Sequence, residues 1–318
     1  MGKSAAKCGL ERVSARDALE GQVRALMVLA GALRAEDVDA VHDARVASRR
    51  LRAVLSEHKR LFDKEALDAA RHKVRGITSG LGTARELDVS LSELEKLTTK
   101  LDGGEKKAAR HATRFLKRRR AAESAKLAEA ADTIGSPEFQ QAVRGLQPRA
   151  GKSRRCYFAT ATRRALRRFD AVVAAADAWK ESPAPGHLHA LRIAFKKLRY
   201  TCETYRGLYG AAMDVFIDCL KDAQDCLGRW HDYSVLSQYV AEARAKARGE
   251  TVRQYEALSA WVGSQADSLL DMFRRHADVF FYPEQVEQFR LFLSGKVEEL
   301  KQKNGEAKCG TKHLLADV

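Results

Sequence analysis

The sequence predicts an all-α protein with two related halves, and three observations lead to this prediction. Helix-forming Ala, Leu, Arg, Lys and Glu are abundant, whereas only five of the 318 residues are proline. Apolar residues recur at helical spacing, and no persuasive run alternates Val, Ile or Thr as a strand would. A twelve-residue helical phrase occurs twice, as VHDARVASRRLR at 41–52 and as LHALRIAFKKLR at 188–199.

Helices of the first half are predicted at 13–34, 38–62, 64–82, 84–101 and 104–133, with a break at Asp102 to Gly104. A short helix capped by Ser136 follows them. Helices of the second half are predicted at 154–181, 187–209, 211–228, 230–248, 250–278 and 284–302, with a stop at Ser182 to Gly186. The predicted organisation is therefore a first bundle at 10–146, a linker at 147–153, a second bundle at 154–302 and a polar tail at 303–318.

Each copy of the phrase presents a histidine followed by a ladder of cations. With 3.6 residues per turn, the ladder positions share one face of each helix. They are His42, Arg45, Arg49 and Arg52 in the first copy, and His189, Arg192, Lys196 and Arg199 in the second. One step around each helix, apolar residues form a stripe that should face a core. The two ladders therefore lie along the edge of buried surface.

A second marker repeats at a matching distance from each histidine. The sequence LGTARELD begins at Leu81, and LGRWHD begins at Leu227. Basic Arg75 and Lys221 each stand seven residues before the glycine of their marker. This second repeat predicts duplicated helical bundles with a pseudo-twofold relation, whose ladders face one shared groove.

The net charge of +15 is unevenly distributed. Residues 106–168 carry 18 Lys or Arg against 4 Asp or Glu, a surplus of 14. Such a basic region favours a polyanion such as nucleic acid, an acidic membrane surface or a phosphate polymer. A solubilising surface is the alternative reading of this charge run.

Cations stacked three and four residues apart repel one another, so each ladder favours a bound anion. Arginine grips two phosphate oxygens and lysine supplies a point charge, which together suit repeated phosphates. Each histidine could hydrogen-bond phosphate when neutral, or add a cation when an anion raises its pKa. Either histidine alone would fit a structural role, but their repetition in register with the cations favours phosphate binding.

Other helices add cations to the predicted groove. The helix predicted at 104–133 carries Lys107, Arg110, Arg114, Lys117 and Arg118. The helix predicted at 154–181 carries Arg163, Arg164, Arg167 and Arg168. The carboxylates of Glu86, Asp88, Asp225 and Asp232 are expected to orient and partly neutralise the cations.

These motifs resemble the CHAD domain, the conserved histidine α-helical domain, over roughly residues 10 to 290. The resemblance rests on both histidine phrases and on both Leu-Gly markers. It implies two four-helix bundles around a basic central groove that binds inorganic polyphosphate, without catalysis. The sequence departs from the family at His231, where many relatives have a small polar residue, and the first helix lacks Arg pairs like those of 163–168.

The resemblance, together with the charge pattern, predicts a polyphosphate site and no catalytic residue, metal site or cofactor. Its members are His42, Arg45, Arg49, Arg50, Arg52, Arg75, Arg114, Lys117, Arg118, Arg163, Arg164, Arg167, His189, Arg192, Lys196, Lys197, Arg199 and Lys221. Arg85 is carried over by the same resemblance.

Two other functions remain open at this stage. Nonspecific nucleic-acid binding would follow from the same charge, although the chain has one asparagine and neither ladder is interleaved with base-stacking aromatics. A phosphoanhydride-processing enzyme would use a histidine nucleophile or a metal held by Asp88 and Asp232. Partners other than polyphosphate could be its granules or an enzyme of its metabolism.

Neither a membrane span nor a signal peptide is evident, so a cytoplasmic or granule-associated protein that binds no membrane is expected. The six cysteines show no metal-binding spacing, and they are expected to be reduced thiols.

Overall fold

The computed structural model describes residues 2–147 and 157–295, and the side chains of 13–147 and 158–295. Within these ranges all regular secondary structure is helical, which confirms the predicted all-α class. The predicted polar tail and all of the predicted linker except Gln147 lie outside the described residues.

Twelve α-helices are described, and two 3-10 turns follow α2 and α9. In the first half the helices are α1 Gly2–Arg34, α2 Val38–Glu57, α3 Lys64–Gly80, α4 Gly82–Thr98, α5 Gly103–Ala121, α6 Ser124–Gly135 and α7 Pro137–Arg144. In the second half they are α8 Tyr157–Glu181, α9 Pro185–Tyr205, α10 Ala211–Ala245, α11 Thr251–Phe280 and α12 Pro283–Ser294.

Several predicted helix boundaries are wrong: α1 begins at Gly2 rather than at residue 13, and α2 ends at Glu57 rather than at residue 62. Two further differences change the number of helices. The helix predicted at 104–133 divides into α5 and α6 at Ala122 and Glu123, where the N–H of Ala122 donates to two carbonyls of the preceding turn. Conversely, the predicted interruption at Arg229 is absent, and α10 runs through Gly228 as one helix of 35 residues. Buried residues continue at helical spacing on both sides of Gly228, so packing compensates for the low helix propensity of glycine.

Local signals explain five of the helix starts. The carboxylate of Asp37 accepts a hydrogen bond from the N–H of Ala40 at 2.7 Å, which caps α2. Asp63 caps α3 in the same way. Proline stands at the first position of α7, α9 and α12, where it has no backbone N–H that could go unpaired.

The described chain divides into two compact units, and each contains one histidine phrase. Among the described residues, the α2 unit comprises 12–147 and 230–268, and the α9 unit comprises 2–11, 157–229 and 269–295. Along the chain, α10 and α11 each begin in one unit and end in the other. The four-helix composition of the bundles, their pseudo-twofold relation and the shared groove stay predictions.

In the α2 unit, α2 packs against α3 and α4, while α3 also contacts α6 and α7. Their apolar faces form one core that includes Val41, Leu51 and Leu55, all fully buried. This confirms the apolar stripe predicted beside the first ladder. The burial of these residues holds the ladder at a fixed distance from α3 and α4.

In the α9 unit, α8 packs along α9 and α12 packs on α8. Its core is rich in aromatic rings, with Phe169 in contact with Phe216 and Phe289. Leu191 and Phe195 of α9 are fully buried, so the second predicted stripe is confirmed as well.

The predicted cap of α7 provides a small and well-defined stability test. The hydroxyl oxygen of Ser136 accepts a hydrogen bond from the N–H of Phe139 at 3.1 Å. Changing Ser136→Ala should lower the free energy of unfolding by about 1 kcal/mol, because that N–H loses its acceptor. Urea denaturation measures the effect, and Ser136→Asn, which retains a capping oxygen, should remain close to the unmodified protein.

Candidate functional site

The first ladder lies along an accessible edge of α2. His42 and Arg52 are exposed, while Arg45 and Arg49 are half-buried. Arg50, which the sequence also placed in the site, is exposed on the same helix. The buried stripe beside these residues fixes the direction of the ladder.

Neighbouring helices add two cations to this edge. The pKa of the Arg52 guanidinium is lowered, first by its partial burial and then by the charges of Arg75 and Arg49. Arg75 of α3 therefore lies close to the ladder. Arg85 of α4 lowers the pKa of His42 in the same manner, again after partial burial of the ring. The ladder is therefore part of a three-helix cluster of like charge, which we call the α2 cation cluster: His42, Arg45, Arg49, Arg52, Arg75 and Arg85.

Acidic residues neutralise only part of the α2 cation cluster. A guanidinium nitrogen of Arg45 lies 3.8 Å from a carboxylate oxygen of Glu86. In the part of the chain that the structure describes, no carboxylate lies within ion-pair distance of Arg49, Arg52 or Arg75. Three adjacent cations without acidic partners create a local positive potential that a bound anion would relieve.

Gly82, the glycine of the first Leu-Gly marker, has a steric role. A Cβ added at Gly82 would lie 3.0 Å from a terminal nitrogen of Arg45. The glycine therefore lets the Arg45 side chain pass close to the beginning of α4, next to Glu86.

Asp88 of the same marker does not pair with the ladder. Its carboxylate accepts a 2.6 Å hydrogen bond from Nε of Arg120 on α5, and both residues are buried, at 7% and 8% exposure. Arg120 also donates to Glu36, between α1 and α2. We call these residues the Arg120 network. The sequence pattern did not predict it, because the charge of 106–168 favoured a polyanion or a solubilising surface, and no signal singled out Arg120 as the partner of Asp88.

The second ladder, on α9, differs from the first. His189 is exposed and Lys196 is half-buried, but Arg192 is only 7% exposed. Arg192 is therefore the least accessible member of the second ladder, because this position lies next to Leu191 and faces the packed side of the helix. Partial burial, followed by the charges of Arg192 and Lys196, lowers the pKa of His189.

Two further predicted residues near this ladder have acidic partners. Nε of Arg199 lies 3.7 Å from Glu203, one turn along α9. Nζ of Lys221 lies 2.7 Å from a carboxylate oxygen of Asp218 on α10. Both pairs reduce the positive potential that these two cations would otherwise provide.

On α8, the two rows of arginine have different environments. Arg163 and Arg167 are exposed. Arg164 is half-buried and donates a 2.5 Å hydrogen bond to the hydroxyl of Tyr205, so it also connects α8 with α9. Between these two helices lies a recess of about 340 Å³ whose walls are mostly alanine. Arg168 of α8 and Lys197 of α9 line it.

On α5, Arg114, Lys117 and Arg118 are all exposed. Lys117 lies 3.3 Å from Glu95. Burial raises the pKa of Tyr255 to about 12, and the nearby charge of Arg114 opposes this rise. Arg119, the next cation, pairs with Glu242. Part of the predicted charge surplus is thus neutralised by acids from distant parts of the chain.

Within residues 2–147 and 157–295, no three His, Cys, Asp or Glu side chains are grouped so that they could hold a metal ion. Over the same ranges, no helix combines the length and the apolar character required to cross a bilayer. The guanidinium, ammonium and imidazole groups of the described site residues can bind anionic oxygens.

Comparison with known proteins identifies a matching domain family and structures of similar fold. A sequence model of the CHAD domain matches residues 17–241, a span that contains both phrases and both Leu-Gly markers. Among curated proteins, none matches this chain.

Two solved structures have a similar fold. The crystal structure of the CHAD domain from the plant Ricinus communis gives a TM-score of 0.57 at 18% identity, covering 89% of this chain and 91% of the other. PptA from Streptomyces chartreusis gives a TM-score of 0.61 at 20% identity, covering 83% of this chain and 97% of the other. At these identities the likeness concerns the fold.

Proposed function

Because the chain belongs to the CHAD domain family, we propose that it binds inorganic polyphosphate through its two cation-bearing helices and does not process it. The α2 cation cluster is the observation that carries this proposal. It brings six basic side chains from α2, α3 and α4 to one accessible edge. A linear polymer with one charge per phosphate can contact several of these cations at once.

The incomplete neutralisation of the cluster supports a ligand with many charges. A single small anion would pair with one or two guanidinium groups and leave the remaining repulsion in place. A phosphate chain lying along α2 would neutralise Arg49, Arg52 and Arg75 together. The α9 ladder offers a smaller set, because Arg192 is buried and Arg199 lies near Glu203, which leaves His189 and Lys196.

A titration with polyphosphate of defined length tests the proposal directly. We expect saturable binding whose affinity falls as salt rises, since each neutralised phosphate releases counterions, as in nucleic-acid binding. Duplex DNA at equal phosphate concentration serves as competitor. If DNA displaced polyphosphate at equal phosphate concentration, the protein would have no preference for polyphosphate. That result would favour nonspecific nucleic-acid binding instead.

The non-catalytic part of the proposal has its own measurement. Polyphosphate incubated with the protein and Mg²⁺ or Mn²⁺ should release no phosphate above the level without protein. Release that is lost on changing His42→Gln and His189→Gln would contradict the proposal and favour a phosphohistidine mechanism.

Protonation of the histidines should make binding pH-dependent. Burial and neighbouring cations lower the pKa of His42 and His189 below the ordinary 6.5, so both rings are neutral at neutral pH. Around His42, Arg85 lowers the pKa while Asp39 and Asp43 raise it. A bound phosphate next to either ring would raise its pKa, so binding would be accompanied by proton uptake.

In the free protein the pKa of each histidine lies below 6.5, and in the polyphosphate complex it is higher. Affinity for polyphosphate should therefore increase as the pH falls from the histidine pKa of the complex to that of the free protein. Isothermal titration in two buffers of different ionisation enthalpy measures the proton uptake. The double variant His42→Gln/His189→Gln should bind with a flatter pH profile. An unchanged profile in this variant would mean that the histidines do not contact the ligand.

A further inference from the structure

The α9 unit contains a cavity unrelated to its cations, which we call the phenylalanine pocket. It lies among α9, α10, α11 and α12 and has a volume of about 170 Å³. Its walls include Phe195, Phe273, Phe280, Phe281 and Phe289. The rings of Phe195 and Phe280 meet edge to face with their centroids 5.3 Å apart, which gives the pocket a defined aromatic wall.

Four polar side chains also line the pocket, Cys219, Asp222, His276 and Gln285, and two of them, Asp222 and His276, are exposed at its edge. Gln285 is only 8% exposed, and no hydrogen bond to its side chain is found in the described part of the protein. Asp222 lies at the wall formed by α10, and within the described ranges its carboxylate has no ion-pair partner. Cys219 completes this wall, and burial, together with Asp222 and Asp218, raises the pKa of its thiol, which makes it a poor nucleophile.

The amide of Gln285 has no hydrogen-bond partner in the described part of the protein, so a ligand that hydrogen-bonds to it gains in affinity. Apolar cavities of similar size, about 150 Å³, hold one benzene molecule. The combination of an aromatic wall, an amide and a carboxylate selects a ring that carries an N–H donor. An anionic ligand is disfavoured, because Asp222 would repel it.

Part of the surface next to the pocket is apolar. Val279, which lines the pocket, is 67% exposed. Met272 lies four residues before the pocket residue His276 and is exposed, as is Tyr282, three residues before Gln285. Such a surround favours entry of an apolar molecule from solvent.

We propose that the phenylalanine pocket binds one small aromatic molecule that bears an N–H donor, independently of polyphosphate. Indole is the probe ligand, benzene is the matched ring without a donor, and benzoate is the anionic ring. Saturation-transfer NMR on the full chain should detect indole at submillimolar concentration and benzene more weakly. Benzoate should give no signal.

Substitutions locate the site. Ala223→Phe places a ring inside the pocket and should abolish the indole signal. Ala175→Phe makes the same change in the alanine-walled recess between α8 and α9, and it should leave the signal intact. Gln285→Met should weaken indole about fivefold, the loss of one hydrogen bond, and leave benzene unchanged.

Protection of Cys219 provides a measurement on the unmodified protein. Indole should slow alkylation of Cys219, followed by mass spectrometry of the peptide that contains it. No indole signal, a signal that survives in folded Ala223→Phe protein, or equal signals from benzoate and indole would each overturn the proposal. Binding of tryptophan-containing peptides without binding of free indole would also overturn it, and would identify a protein-docking surface instead.

Discussion

Replacing Arg49 and Arg52 together by glutamine should weaken polyphosphate binding about thirtyfold, if each contributes about 1 kcal/mol after solvent screening. These two residues are the members of the α2 ladder for which the described part of the chain provides no carboxylate. Their charge is therefore available to the ligand rather than to an internal ion pair. Glutamine keeps the aliphatic carbons nearest the backbone and a polar end, so the packing of α2 should change little.

The salt dependence of polyphosphate affinity tells whether a variant has lost direct phosphate contacts or only part of the net charge of the protein. By analogy with single-stranded nucleic acids, the slope of log affinity against log salt should fall in magnitude by about 1.4 when two phosphate contacts are lost. The matched control is Lys100→Gln/Lys246→Gln, which removes the same charge from exposed positions of the α2 unit. Equal effects in the two double variants would show that net charge, and not the α2 cation cluster, determines affinity.

Periodicity predicted the helices and the buried stripes because both depend on local geometry. The stripe at Leu51 and the cap at Ser136 could be identified from residues within one or two turns. The end of α5 could not, since no Gly or Pro marks Ala122. That boundary depends on tertiary packing, as does the continuation of α10 through Gly228.

The site was only partly predictable for a related reason. Sequence spacing identifies which cations share a helix face, but not which of them meet an acid from another helix. Arg120 and Arg164 look like members of a basic run, yet one binds Asp88 and the other binds Tyr205. Burial of Arg192 likewise depends on how α9 packs, which its ladder spacing does not specify.

Changing Arg120→Met should lower the free energy of unfolding by about 3 to 5 kcal/mol, because it leaves Asp88 buried without a countercharge. Arg120 is the centre of a network that joins α5 to α4 and to Glu36. Urea denaturation, with the slope checked for two-state behaviour, measures the loss. Arg119→Met is the matched control in the neighbouring position. Arg119 is partly exposed and pairs with Glu242, so its loss should cost about 1 kcal/mol or less.

The pH dependence of this destabilisation follows from the pKa of Asp88. Burial raises that pKa above its usual value, and Arg120 opposes the rise. Without Arg120, the folded-state pKa of Asp88 rises further, so the folded protein gains stability as the pH falls through this pKa. The deficit of the Arg120→Met variant should therefore be smaller at about pH 5 than at about pH 8. An equal deficit at both would mean that lost packing, and not the carboxylate, causes it.

Adding a second substitution at Asp88 tests whether the loss of stability in Arg120→Met comes from the unpaired carboxylate. In Arg120→Met/Asp88→Leu both charges are gone, and most of the lost stability should return, because an apolar pair can replace a buried ion pair at little cost. Asp88 lies one turn after Arg85 on α4, and Arg85 lowers the pKa of His42. If the Arg120 network positions α4 against α2, NMR titration should give a changed pKa for His42 in Arg120→Met and a restored one in the double variant. A pKa of His42 that is the same in all three proteins would show that the network stabilises the α2 unit without positioning its cation cluster.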